Sequence, residues 1–430
     1  MHDPWVGRLG KQEGKAFLVG SYISSKEKEE CQEHLRELSS LCDTYGFKIA
    51  ETLPCHVQKI SAATFLGTGK IEEIAAIARE TNVDIIIFDD EISPQQQRNL
   101  EKALQKPVID RTELILGVFA KRAKTREAQI QIDLARCKYQ LPRLRRMWTH
   151  LGRQRIKGGS GGYLKGAGEK QIEIDRRVLK NSIAQLTKEL EEVKQHRSTQ
   201  RHLREKSHIP TFAIIGYTNA GKSTLLNALT DAKVLVEDKL FATLDTTTRK
   251  FSLPNKQEIL LIDTVGFIRK IPHTLVASFK STLEEACHAD ILLHLIDVSN
   301  KEAKQQTETT YEVLKELNAL NHPIITCLNK IDKCENRSIC LYLKLKYPKT
   351  VEISALKKEG LDQLFDLMME EISRLRKVIK LRVPQSHYAL VSKIIKQGRI
   401  IVCDYEGNDV ILEAEIPHTL EHELLKYVVG

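Results

Sequence analysis

At roughly 100–200 residues per domain, a chain of 430 residues predicts two to four folded units, so one shared core is excluded. Hydrophobic residues at 41% and charged residues at 29% exclude a wholly disordered or fibrous chain. The net charge of +9 is unevenly spread: residues 121–210 hold 23 Lys and Arg against 9 Asp and Glu, leaving 43 against 48 elsewhere. Positive charge concentrated in this way points to a polyanionic partner.

No apolar run approaches the about 20 residues of a bilayer span, and Met1 to Gly20 lacks the pattern of a signal peptide. The expectation is a cytoplasmic, soluble chain without a membrane anchor. The nine cysteines are odd in number and never spaced C-x-x-C, which argues for reduced thiols rather than a disulfide framework or a zinc ribbon.

Residues 1–111 alternate short β-branched runs with helical patterns, as an α/β domain does. Strands are expected at Ala16–Gly20, Phe47–Leu53, Ile85–Phe88 and Val108–Asp110, and helices at Lys26–Tyr45, Ile71–Arg79 and Pro94–Leu104. Gly67-Thr68-Gly69-Lys70 at a helix start reads as a tight turn, or as a phosphate cradle that would give a second nucleotide site.

Residues 112–206 turn helical. Ile130, Leu134, Cys137 and Leu141 form one stripe; Leu179, Ile183, Leu186, Leu190 and Val193 form another on a helix over 169–206. Facing stripes predict an antiparallel hairpin. Between them, Leu134 to Gly168 carries Arg136, Lys138, Arg143, Arg145, Arg146, Arg153, Arg155, Lys157 and Lys165 and no acid. Gly158-Gly159-Ser160-Gly161-Gly162 adds backbone freedom, and Tyr139, Trp148 and Tyr163 offer rings for base stacking. RNA contacts are expected from Arg143, Arg145, Arg146, Arg153, Arg155, Lys157 and Lys165.

Residues 207–375 carry the specific chemistry. After an apolar strand at Phe212–Ile215 comes Gly216-Tyr217-Thr218-Asn219-Ala220-Gly221-Lys222-Ser223, then a helix from Thr224. This is G-x-x-x-x-G-K-S between strand and helix: backbone N–H groups converge on phosphates, Lys222 reaches the terminal two, and the Ser223 hydroxyl faces Mg²⁺. Leu260–Ile262 runs into Asp263-Thr264-Val265-Gly266, where the carboxylate can hold Mg²⁺ through water and the Gly266 N–H can sense a γ-phosphate. Ile324–Leu328 runs into Asn329-Lys330-Ile331-Asp332. Asp332 can accept the two donors that guanine presents and adenine does not, Asn329 reaches the N7 side, and Lys330 covers the ring. After Val351–Ile353, Ser354-Ala355-Leu356 can aim a backbone N–H at O6. These four segments predict a guanine-specific nucleotide site. A helix over Gln363–Ile372 completes this domain. Residues 376–430 read as a small α+β domain without a catalytic constellation: strands near Leu381–Val383, Arg399–Cys403 and Val410–Ala414, a helix over Tyr388–Ile395, and a last helix after Pro417.

Spacing leaves Thr243, Thr246, Thr247 and Thr248 open as the switch threonine that closes over Mg²⁺ and γ-phosphate. Phe267 follows Gly266 where Ras-like enzymes keep a water-orienting glutamine, so slow intrinsic hydrolysis is expected. Asn219 reads either as a plain loop hydrogen bond or as a ligand for K⁺ beside the phosphates.

These motifs, with Phe241-Ala242-Thr243-Leu244-Asp245, Thr247-Thr248-Arg249, Asp263 to Ile268, and Arg153-Gln154-Arg155 ahead of Gly166-Ala167-Gly168-Glu169, resemble the translation-factor class of P-loop GTPases and closely the HflX family, over almost the whole chain. The family usually has proline at the position of Thr246 and Gly-Pro-Gly-Glu-Thr-Gln where residues 166–171 read Gly-Ala-Gly-Glu-Lys-Gln; neither change removes a phosphate or metal ligand. The resemblance favours Thr243 and implies nucleotide contacts from residues 216–224, 241–245, 263–266, 329–332 and 354–356. It implies catalytic roles for Lys222, Thr243, Asp263 and Gly266, with Mg²⁺ on Ser223 and Thr243; K⁺ beside Asn219, or ribosomal RNA pressing on the switches, would supply the electrostatic stabilisation that Phe267 does not. It further implies a stress-linked GTPase that cycles between GTP and GDP, binds the large ribosomal subunit and its RNA, and splits, recycles or rescues stalled ribosomes. A monomer is expected. The competing reading is an RNA-binding or RNA-remodelling protein in which GTP only locks a conformation.

Overall fold

The computed structural model describes residues 14–147, 165–205, 209–230, 239–241, 243–244, 246–270, 288–417 and 424–429. The described chain forms two compact units, one built mainly on the residues up to 192 and the other on those that follow; Leu240, Phe241 and Lys270 belong with the first.

In the first unit, β1 (Lys15–Tyr22), β2 (Lys48–His56), β3 (Ile85–Phe88) and β4 (Val108–Asp110) form a parallel sheet in the order β2-β1-β3-β4. All of Ile85–Phe88 is buried, as a central parallel strand covered on both faces must be. The covering helices are α1 (Glu27–Tyr45), α2 (Thr68–Glu80), α3 (Pro94–Leu104) and α4 (Arg111–Arg122). Local chemistry sets their ends. Gly46 at φ 109° closes α1 with its N–H on the Cys42 carbonyl. Ser93 and Gln96 make a reciprocal capping box at α3, with Pro94 in its first turn. Gly67 caps α2, and Lys70 is paired with Glu73 at 2.7 Å, so the Gly67–Lys70 segment is the opening turn of a helix.

Helices α5 (Arg126–Met147) and α6 (Lys165–Glu205) follow. Ile130, Leu134 and Leu190 form their shared buried cluster, flanked by Ile183 and Leu186. Two residues expected at an RNA face lie elsewhere. Arg143 is 6% exposed and Tyr139 7%. Arg143 Nη2 donates to Asp110 Oδ2 at 2.9 Å, the Tyr139 hydroxyl donates to Asp110 Oδ1 at 2.9 Å, and the guanidinium stacks 3.9 Å from the Tyr139 ring centroid. Asp110 also accepts the Glu113 N–H as the cap of α4. Burial raises the Asp110 pKa against the opposing pull of Arg143 and these hydrogen bonds. A buried carboxylate needs a cation, and Arg143 is that cation. Composition counted it with the surface charge because its partner lies 33 residues upstream. Residues 153, 155 and 157 and the rings of Trp148 and Tyr163 lie outside the described residues, as do the side chains of Arg145, Arg146 and Lys165.

In the second unit a six-stranded sheet runs β10-β9-β8-β5-β7-β6: β5 (Thr211–Gly216), β6 (Thr247–Ser252), β7 (Glu258–Asp263), β8 (Ile291–Asp297), β9 (Ile324–Asn329) and β10 (Thr350–Glu352). Only the edge pair β6–β7 is antiparallel. One face packs on α7 (Lys222–Thr230) and α10 (Leu361–Arg374) through Phe212, Leu225, Leu293, Leu364 and Met368. The other meets α8 (Ala303–Glu316) and α9 (Arg337–Lys346) through Ile296, Ala303, Cys340 and Leu343. A separate antiparallel sheet, β11 (Arg376–Pro384), β13 (Asp409–Pro417) and β12 (Arg399–Glu406) in that order, is covered by α11 (Tyr388–Gln397). The helix expected after Pro417 falls largely outside the described residues; a single 3-10 turn at Leu425–Tyr427 is described.

Candidate nucleotide site

The site collects at the carboxyl ends of β5, β7, β9 and β10, where open parallel sheets bind ligands. The loop after β5 needs backbone that side chains resist. Gly216 stands at φ 145° and Gly221 at φ 95°, and a Cβ would meet the Leu295 carbonyl oxygen at 2.3 Å in the first case and Asn329 Nδ2 at 2.3 Å in the second. Asn219 at φ 61° is one of the few residue types that tolerate this region.

Lys222 is 6% exposed and its Nζ donates to the Gly216 and Tyr217 carbonyls at 3.2 and 2.8 Å. Burial brings its pKa down to about 8, with Asp263 opposing and Lys330 adding to the fall. A buried ammonium held at the mouth of a glycine-bounded loop before a helix is placed as a phosphate-binding lysine is.

Ser223 Oγ donates to Asp263 Oδ2 at 2.7 Å and lies 2.7 Å from Thr243 Oγ1. Three residues separated by tens of positions thus converge. Of the four threonines left open by spacing, Thr247 and Thr248 lie in strand β6, paired with Asp263 and Ile262. Asp263 is fully buried and its Oδ1 has no hydrogen-bond partner among the described residues. Burial raises its pKa, opposed by Lys222 and by the hydrogen bond from Ser223. A set of hydroxyl and carboxylate oxygens, one of them orphaned, has the hard-donor character that Mg²⁺ requires; these residues could hold it.

The segment after Asp263 is laced to the loop. Thr264 Oγ1 donates to the Ile214 carbonyl at 2.7 Å, the Phe267 N–H donates to the Gly216 carbonyl, and the Thr218 N–H donates to the Phe267 carbonyl. Phe267 is 1% exposed, so it fixes this junction while offering no polar group. At Gly266 a Cβ would lie 2.8 Å from both Lys222 Nζ and Thr218 Cα.

On the base side, Asp332 Oδ1 accepts from Ser354 Oγ at 2.7 Å, a bond that holds the carboxylate below its ordinary pKa. Asn329 Nδ2 donates to the Ala220 carbonyl at 2.8 Å and its Oδ1 accepts the Ala355 N–H at 3.0 Å, so the amide braces two loops together while its second N–H remains available to a ring nitrogen. Lys330, at φ 63°, pairs with Asp297 Oδ2 at 2.6 Å. Asp297 was missed in the sequence although it ends a run, Ile291–Ile296, that is apolar but for His294, much as Asp263 and Asn329 end theirs. Leu356 is 71% exposed while Ser354 and Ala355 are buried. Phe241 was expected at the nucleotide; its ring is instead buried edge-on against Phe119 of α4, centroids 4.5 Å apart. Ala242 and Asp245 lie outside the described residues.

Comparison with known proteins gives this arrangement a family. Residues 32–120 match the N-terminal region and 122–204 the middle region of GTP-binding GTPases, and 211–330 match the 50S ribosome-binding GTPase family. The GTPase HflX of Chlamydia pneumoniae is 46% identical over 422 residues, covering 98% of this chain and 89% of that one. The GTPase HflX of Lacrimispora saccharolytica is 45% identical over 413 residues, covering 96% of each. Among solved structures, a GTP-binding protein from Sulfolobus solfataricus in complex with GDP aligns over 84% of this chain and 99% of its own at 27% identity, with a TM-score of 0.44. On near-complete coverage by such relatives, the chain is a GTPase and belongs to the HflX family.

Proposed function

We propose that this GTPase binds the large ribosomal subunit in its GTP state through the basic tip between α5 and α6, and that GTP hydrolysis accompanies the splitting, recycling or rescue of stalled ribosomes. The observation that carries the reading is a nucleotide site that follows, after the long helix α6, a stretch of 35 residues, Leu134 to Gly168, with no acid. Such a stretch repels itself until a polyanion neutralises it. The match of 211–330 to a ribosome-binding GTPase family supports the choice of polyanion. With Arg143 buried, the RNA contacts fall to Arg145, Arg146, Arg153, Arg155, Lys157 and Lys165. Four working parts are proposed: residues 1–111, 112–206, 207–375 and 376–430, acting as a monomer in the cytoplasm.

Within the site, Lys222 would bind the terminal phosphates, Ser223 and Thr243 would hold Mg²⁺, and Asp263 would order its water. When bound, Mg²⁺ neutralises charge on the phosphate oxygens. Gly266 would present its N–H to the γ-phosphate, and Asp332, set by Ser354, would receive the guanine edge. Phe267 orients no water, so the electrostatic stabilisation Ras-like enzymes obtain from glutamine must come from elsewhere: K⁺ beside Asn219, or ribosomal RNA against the switch segments.

The test is GTP turnover by the full chain, with and without purified large subunits, in KCl and in NaCl. Stimulation by subunits, lost when Arg153, Arg155 and Lys157 are replaced together by Gln while basal turnover persists, supports the reading. Equal turnover under all four conditions overturns it.

A further inference from the structure

The nucleotide site has a pair of thiols at its edge. Asp332 lies in a single 3-10 turn, Ile331–Lys333, closed by the Cys334 N–H on the Ile331 carbonyl at 3.3 Å. Cys334 Sγ lies 3.8 Å from Cys340 Sγ, in van der Waals contact. The two thiols differ in their surroundings. Cys340 sits in the first turns of α9 at 2% exposure, packed in the cluster of Ile296, Val298, Ala303, Leu328 and Leu343. Cys334 is half-buried on the flank of that cluster. Only two residues, Glu335 and Asn336, separate Cys334 from the helix.

We propose that Cys334 and Cys340 form a reversible disulfide that weakens guanine-nucleotide binding. The Cys334 thiolate, the accessible one, attacks a sulfur of a low-molecular-weight disulfide such as glutathione disulfide, expelling one thiolate. The Cys340 thiolate then attacks the Cys334 sulfur of the mixed disulfide and expels the second. The two protein thiols give up two electrons and two protons; the added disulfide takes up both and leaves as two thiols. Burial pushes the Cys340 thiol up to about 11, which suits it to the second, intramolecular step rather than the first. Burial pushes the Cys31 and Cys327 thiols up to about 12.

The effect on nucleotide follows from what can move. A disulfide brings its sulfurs to about 2.05 Å. Cys340 is held by a helix and a packed cluster, so the closing displacement falls on Cys334 and on the single turn before it. That turn carries Asp332, whose carboxylate is aimed by one bond to Ser354 at 2.7 Å. This consequence rests on the reading of Asp332 as the guanine contact.

The experiment treats the full-length protein with glutathione disulfide, then measures the peptide mass across residues 334–340 and the affinity for a fluorescent GDP before and after dithiothreitol. The expected result is a peptide lighter by two hydrogens, with affinity lowered about tenfold and restored by the reductant. Cys334→Ser and Cys340→Ala should show neither change. Cys334→Ser, at the half-buried position, keeps the test available if the buried substitution fails to fold. Absence of the cross-link, a cross-link without loss of affinity, or the same loss in Cys334→Ser would each overturn the proposal. Preference for GDP over ADP in the reduced protein is measured on the same sample, so a failure of the guanine reading is seen before any oxidant is added.

Discussion

Ser223 Oγ donates to Asp263 Oδ2 at 2.7 Å, joining the last residue of the phosphate loop to the end of the neighbouring strand β7. With Thr243 Oγ1 also 2.7 Å from Ser223 Oγ, the oxygens proposed to serve Mg²⁺ are assembled by the protein's own hydrogen bonds. Little reorganisation is then required when the ion arrives. Ser223→Ala should therefore weaken Mg²⁺-dependent GTP binding on the order of 10–100-fold. A magnesium titration monitored by a fluorescent GTP analogue reads this directly. An unchanged magnesium midpoint would remove Ser223 from the proposed ligand set.

Gly266→Ala separates sensing from binding. The added methyl meets Thr218 Cα at 2.8 Å, a backbone atom, so the loop itself must shift. The other close atom, Lys222 Nζ, is the end of a flexible side chain and needs to yield by only a fraction of an ångström. GTP turnover should fall about 100-fold, the cost of an ångström-scale misplacement at a reacting centre. GDP needs no γ-phosphate contact and should bind within about threefold of the parent. Comparing kcat with GDP affinity checks both, and parallel loss of the two would place Gly266 in general loop stability instead.

Sequence reading reached the elements whose signal is local. Ser93-Pro94 with Gln96, the apolar run Ile85–Phe88 and the glycine pattern around Lys222 each determine their own neighbourhood through capping, burial or backbone freedom. It failed where a long-range partner decides. Arg143 and Tyr139 looked like surface chemistry until Asp110 supplied a buried counter-ion. Spacing left Thr243, Thr246, Thr247 and Thr248 together, because the placement of Thr247 and Thr248 in an antiparallel edge strand is a long-range pairing event. Strand β8 went unread altogether, and with it Asp297 and His294.

The proposed base choice rests on Asp332. Asp332→Asn keeps the shape and the bond to Ser354 but replaces an acceptor pair with one acceptor and one donor. Affinity for GTP should drop by about 10–100-fold, as expected when charge-assisted hydrogen bonds are lost, and affinity for xanthosine triphosphate should rise. Competition binding with both nucleotides measures the exchange. Unchanged GTP affinity would mean that the base is read elsewhere.

Arg143 makes the opposite prediction from its position in the basic stretch. Arg143→Met leaves Asp110 buried with the Tyr139 hydroxyl and the Glu113 N–H but without a cation. Removing one partner of such a pair costs about 3–5 kcal/mol. The variant should show a lower unfolding temperature for the first unit, while ribosome binding per folded molecule stays unchanged. Loss of RNA affinity at undiminished stability would return Arg143 to the RNA face.

His294 sets a pH limit on the second unit. It is 1% exposed in the central strand β8, edge-on to Tyr311 at 5.4 Å, and its Nδ1 has no hydrogen-bond partner among the described residues. Burial, reinforced by the Lys222 charge, pulls its pKa down to about 3. An unfolded imidazole titrates near ~6.5, so between these two values the unfolded state binds the extra proton. Stability is then fully present above the unfolded value and is lost as pH falls toward the folded one, by about 1.4 kcal/mol per unit once the unfolded histidine is charged. Between pH 6.5 and 5 the loss from this group alone is about 2 kcal/mol. His294→Leu, which has no proton to take up, should remove that share of the slope even if its stability at neutral pH differs. Urea unfolding of the two proteins across this range compares slopes rather than midpoints; identical slopes would show that His294 is already protonated in the folded state or that other groups control the acid limb.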